Sequence, residues 1–214
     1  MSTMPTKITE KLIIDAAEGE IVLNGLDFTK NGYVEIKNAS SVVIKNCRVY
    51  DMNCEDAPKN YWMKVVGDIP MKLSIVRSFF GDSFGKNGQL YNLLELNAKL
   101  KEDSMISSNW FSSNCCTHNA LNIYGAEEGS VIYVNNNHFS DVVKQMRIGI
   151  KGAPVCKIIA NGNDCKVVDT SDEGVEWANL ALVQPYGKAT TTFENLEISM
   201  NDNKMSYDLA EPIV

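Results

Sequence analysis

One frame recurs along the chain and leaves few folds open to it: an apolar residue followed, five positions later, by a second apolar residue that is often phenylalanine. It reads Leu23/Phe28, Ile44/Val49, Ile75/Phe80, Ile106/Phe111, Val134/Phe139, Ala160/Cys165 and Phe193/Ile198. The first members stand 21, 31, 31, 28, 26 and 33 residues apart. Ahead of each pair lies an alternating apolar element: Leu12/Ile14, Val34/Ile36, Met63/Val65, Leu94/Leu96, Leu121/Ile123, Ile148/Ile150 and Leu180/Leu182. Alternation with period two marks a strand with one buried face, whereas an amphipathic helix repeats every 3.6 residues. Each unit therefore predicts two strands, with a third short strand after a corner.

An imperfect, strand-rich repeat of this length signals a solenoid. The L-x-x-L-x-L-x-x-N register of a leucine-rich repeat is absent, and a propeller blade needs four strands in about 40 residues. The expectation is an all-β, single-stranded right-handed parallel β-helix of about seven rungs with long loop inserts. At about 4.8 Å per rung such a rod is roughly 30–35 Å long. The residue two before each phenylalanine-type position runs Leu26, Cys47, Ser78, Asn109, Asn137, Asn163 and Leu196. Asparagine tolerates the left-handed backbone that a tight corner needs, and stacked amides can hydrogen-bond from coil to coil. Asn109, Asn137 and Asn163 are thus expected to hold the left-handed corners and to form one structural ladder.

With those asparagine corners and apolar strand pairs, the chain resembles the right-handed parallel β-helix superfamily of pectate lyases and phage tailspikes over about residues 10–200. The resemblance implies architecture more than activity, because that fold hosts lyases, hydrolases, adhesins and inert virion parts. On this reading residues 1–214 are one domain: an N-terminal arm at 1–10, coils over 11–199 and a C-terminal tail at 200–214.

Composition narrows the function classes. The formal charge is −7, and no run of five Lys or Arg residues occurs, so a nucleic-acid partner is not expected. No apolar run of 18 residues occurs to span a membrane, and the N-terminus lacks the basic-then-apolar pattern of a signal peptide. The expectation is a protein made in the host cytoplasm that leaves it by lysis or within a particle. The six cysteines, at 47, 54, 115, 116, 156 and 165, include no C-x-x-C, which favours free thiols over zinc or a disulfide framework. A Cys156–Cys165 bridge is the one pairing considered. No cofactor and no metal site are expected.

In such a fold, equivalent outward positions of successive coils line up as columns. The column between Asn and Phe runs Asp27, Arg48, Phe79, Trp110, His138, Asp164 and Glu197. Arg48, Phe79, Trp110 and His138 are the candidate binding residues, since a stacked aromatic row suits a protein interface or sugar rings. The opposing reading is that inserts near 52–62 and 83–90, carrying Trp62, Phe84 and Tyr91, fold over the row. A second column runs Glu35, Lys64, Glu95, Asn122, Gly149 and Ala181. Glu35 and Glu95, two rungs and roughly 9.6 Å apart, with Lys64 between them, are the alternative catalytic set. Their bland reading is an alternating-charge ladder between strands. Asp51, Asp82 and Asp141, with Ser113, are a weak cation candidate, although such residues more often simply start a turn. Cys115 and Cys116 beside His118 lack a third orienting group.

Two function classes follow. The first is a non-enzymatic structural or binding protein of a phage-like virion, a capsid decoration or fibre-type component, with capsid or fibre proteins or further copies as partners. The alternative is a polysaccharide lyase, glycoside hydrolase or carbohydrate-binding module of the pectate-lyase-like class, with a glycan ligand.

Overall fold

The structure, a computed structural model, describes residues 5–53, 61–81, 83–84, 90–112, 116–140, 144–151, 154–168, 179–183 and 195–208. Among these the regular elements are all strands, and they pair in parallel. No helix of the described residues is long and apolar enough to cross a membrane. Partners are the same parts of successive repeats, as the alternating pattern requires. A nine-stranded sheet runs in the order Thr6–Ile8, Leu26–Lys30, Arg48–Asn53, Phe79–Phe80, Trp110–Ser112, His138–Ser140, Asp164–Val168 and Lys204–Asp208, with Ser83–Phe84 added beside Arg48–Asn53. A thirteen-stranded sheet has two limbs that meet in the long strand Tyr61–Val76. In one limb residues 63–66 pair with Val34–Lys37 and with Leu90–Leu100. In the other, residues 72–76 pair with Ser41–Lys45, and residues 74–76 with Ser104–Ser107.

The register places the recurring apolar residues in continuous rows. Phe28, Val49, Phe80, Phe111, Phe139 and Cys165 are consecutive neighbours, as are Ile44, Ile75, Ile106 and Val134. Phe80, Phe111 and Phe139 are fully buried and stack at 4.8 and 4.9 Å between ring centroids. Trp62 fills the space between Phe28 and Phe80 and donates its indole N–H to the Gly32 carbonyl. Each such side chain removed from water contributes about 1.5–3 kcal/mol.

Three expected registers shift. The limb that carries Val34, Met63, Leu94 and Leu121 continues in register with Met146 and Ala181, so the pairs in line with it are Met146/Ile148 and Ala181/Val183 rather than Ile148/Ile150 and Leu180/Leu182. The first of these slips is by two residues, which keeps every position on its face, so alternation alone cannot detect it; the second is by one residue, which exchanges the faces expected there. At the C-terminal end, Ile198 pairs with Ile158, and the phenylalanine row ends in Met205 opposite Cys165. Phe193 lies outside the described residues. The regions expected as arm and tail contain the strands Thr6–Ile8 and Lys204–Asp208.

The corners divide their work differently from the expectation. The left-handed residues are Gly25, Asn46, Arg77, Ser108, Asn136, Gly162 and Asp202, at φ 50–65°. Each stands one position before the ladder residue, so Asn109, Asn137 and Asn163 are free to turn inward. Asn109 and Asn137 each donate main-chain and side-chain N–H groups to the Oδ1 of the next asparagine, at 3.0–3.1 Å. Asn163 does the same to Asn203, at 2.9 and 3.0 Å, which makes Asn203 a fourth member where Leu196 was expected. Ser78 and Cys47 extend the series, for Ser78 N–H donates to Asn109 and Cys47 N–H donates to Ser78.

Candidate functional site

The corner geometry turns the residue after each ladder position outward. Arg48, Phe79, Trp110, His138, Asp164 and Lys204 become neighbours in register on successive strands. Lys204 takes the place expected for Glu197, which instead pairs with Lys157 in the other sheet by register and by an ion pair. The ring centroids of Phe79 and Trp110 are 6.4 Å apart, and those of Trp110 and His138 are 4.4 Å apart. Trp110 donates its indole N–H to Ser140 Oγ at 3.2 Å, and His138 Nδ1 lies 3.1 Å from Asp164 Oδ2. Gly81 makes room for Phe79, because a Cβ there would meet the phenyl ring at 2.7 Å. Arg48 lies over the Tyr50 ring at 4.8 Å. Arg48, Phe79, Trp110 and His138, together with Arg77 and Asn136, line an open groove of about 610 Å³.

The structure thus assembles all four predicted binding residues in one place. Trp62, one of the side chains expected to cover them, is inside the core instead. The side chains of Phe84 and Tyr91 lie outside the described residues. Trp110, at the centre of the row, is 49% exposed.

The second column also forms. Glu35, Lys64, Glu95, Asn122 and Arg147 are consecutive neighbours, with Arg147 and Leu182 where Gly149 and Ala181 were expected. Lys64 pairs with Glu95 at 3.2 Å, and Glu35 receives Lys11 and Lys37, each at 3.5 Å. Burial, with the charges of Glu35 and Glu95 and a hydrogen bond to Glu35 behind it, pushes the Tyr61 hydroxyl up to about 12. The Arg147 guanidinium lies 5.6 Å from the centre of the Tyr124 ring. Asn122 is fully buried, and among the described residues neither atom of its amide has a hydrogen-bond partner. This face is a ladder of compensated charges interrupted by one unsatisfied amide.

The remaining candidates separate. Among the described residues no three His, Cys, Asp or Glu side chains gather to hold a metal ion. Asp51 is exposed at φ 50°, while Asp82, Ser113 and Asp141 lie outside the described residues. Cys115 and the side chains of Cys116 and His118 do so too. Cys156 and Cys165 are free, buried thiols in different sheets, which removes the proposed bridge. Burial, helped by Glu128 and Asp164 respectively, pushes them up to about 11 and about 12.

No family model, curated protein or solved structure matches the chain. Three contributors escaped the sequence reading: Arg77, Arg147 and Asn203. The Asn–x–Asn spacing at 201–203, which repeats 135–137 and 161–163, was a signal for the last. Arg77 and Arg147 carry no such local mark, since their positions depend on register.

Proposed function

We propose that the chain winds as a single right-handed parallel β-helix, one coil per repeat, and serves as a non-enzymatic structural and binding protein of a phage-like virion. In that role it is a capsid decoration or fibre-type component, docked on shell or fibre proteins and needing no cofactor. The winding is supported by the in-register pairing of successive repeats and by the near-universal right hand of parallel crossovers. The docking role is carried by Trp110, half exposed at the centre of the groove. Aromatic and arginine side chains gathered at a concave surface are the usual anchors of protein interfaces.

The test is composition and position. Particles purified from a culture producing this protein should contain it in fixed stoichiometry, and W110A should lower its occupancy. Particles lacking the chain would overturn the reading.

A polysaccharide-active enzyme or carbohydrate-binding module remains the second reading, favoured by one observation: Asn122 and Arg147 extend the Glu35–Lys64–Glu95 column into a longer polar face. Against it, each glutamate is compensated by lysine, and the aromatic row belongs to the other sheet. Release of reducing ends from an acidic glycan, abolished in E35Q/E95Q, would establish the enzyme and displace the structural role.

A further inference from the structure

The groove around Trp110 differs in charge from the molecule that carries it. The chain has a formal net charge of −7, yet among the described residues the groove is lined by Arg48 and Arg77 and by no carboxylate. Among the described residues neither guanidinium has an ion-pair partner. The two acids of the same row are already engaged: Asp27 accepts from the Tyr50 hydroxyl at 3.0 Å, and Asp164 faces His138. Arg77 is also the costliest occupant of its slot. Six equivalent corners use Gly, Asn, Ser or Asp at positive φ, and only this one places a long cationic side chain there, at φ 50°. A left-handed backbone is unfavourable for such a residue, so the charge is held at the rim of the groove against local preference.

We propose that the groove seats an acidic polypeptide segment of the docked partner, with two carboxylates on Arg48 and Arg77 and a neighbouring apolar side chain on Trp110. The inference rests on the docking reading above and names what the partner brings to it. Charge complementarity identifies the carboxylates. Ring geometry favours a polypeptide over a glycan. Phe79 and Trp110 are inclined by 55°, and Trp110 and His138 by 60°, so the row offers clefts for side chains rather than one flat platform for sugar faces. Three of the groove's amide and indole donors are already engaged: the Trp110 N–H goes to Ser140, Asn46 Nδ2 donates to Asn24, and the Asn109 amide is in the ladder.

The test uses the full chain and two labelled peptides, one of alternating Glu and Tyr, the other of alternating Gln and Tyr, with polygalacturonate as competitor. The Glu peptide should bind at low ionic strength and weaken as salt rises, while the Gln peptide binds at least about tenfold more weakly. R48Q/R77N and, separately, W110A should each weaken the Glu peptide about tenfold or more. Asparagine suits the left-handed corner, so R77N keeps the fold while removing the charge. Equal binding of the two peptides, or unchanged binding by R48Q/R77N, overturns the proposal. Polygalacturonate bound more tightly than the Glu peptide also overturns it and marks the groove as a glycan site. Peptide selectivity in a chain missing from particles would sink the docking reading alone. Full particle occupancy by R48Q/R77N would sink the acidic-partner inference alone.

Discussion

At Asn137 one side chain satisfies both neighbours: its Oδ1 accepts twice from Asn109, and its Nδ2 donates to the Ile106 carbonyl and to Asn163. N137A leaves buried donors without acceptors, and about 3 kcal/mol of stability should be lost in urea unfolding. N137S should lose less, because Ser78 holds the equivalent slot and its Oγ accepts from Cys47 N–H at 3.2 Å. Arg77 predicts the opposite sign. R77N relieves a left-handed arginine and should raise stability by about 0.5–1 kcal/mol in the same assay, while it weakens anion binding. The ladder was legible because three of its asparagines recur in one frame. The left-handed duty was assigned one residue late, since Asn is favoured both in such backbone and in such ladders, and composition does not distinguish the two uses. In the residue before, Gly, Asn, Ser, Asp and Arg alternate without a shared side-chain signature.

Strands carry the clearest message between sequence and structure here. Phe111 lies between Phe80 and Phe139 with interplanar angles of 18° and 10°. F111A should therefore cost about 3–5 kcal/mol, read from the denaturant midpoint, because both stacked neighbours lose contact at once. The apolar frame located this row through Cys165 and then failed, because the next unit is longer. Met205 stands 40 residues after Cys165 in sequence, a step outside the range of the earlier ones. The other slip, from Met146/Ile148 to Ile148/Ile150, displaced Arg147 from the polar column. Period two fixes which face a residue takes but not how far along the strand it lies. Candidate residues on the aromatic row were therefore readable, whereas those on the polar column were readable only up to Asn122.

For the molecule as a whole, titration and repetition give separate tests. Cys156 and Cys165 are raised from 9 to about 11 and about 12, and Tyr61 from 10 to about 12, chiefly by burial. Raised values mean that the folded state holds these protons more tightly than the unfolded one. Their contribution is complete below about pH 9 and is lost as pH climbs toward 12, so the unfolding midpoint should fall through that window. Repetition predicts that excising residues 110–137, which joins Asn109 directly to His138, removes one unit and preserves the frame. That shortened chain should keep a strand-type circular dichroism spectrum and melt earlier than its parent. Each ladder amide also has a direction. Asn137 serves the corner 28 residues earlier, Asn163 the one 26 earlier and Asn203 the one 40 earlier. During synthesis, then, the newest bend to leave the ribosome always waits for residues still being made. A nascent product halted before Asn203 would forfeit the lock on Asn163 as well as its own missing end.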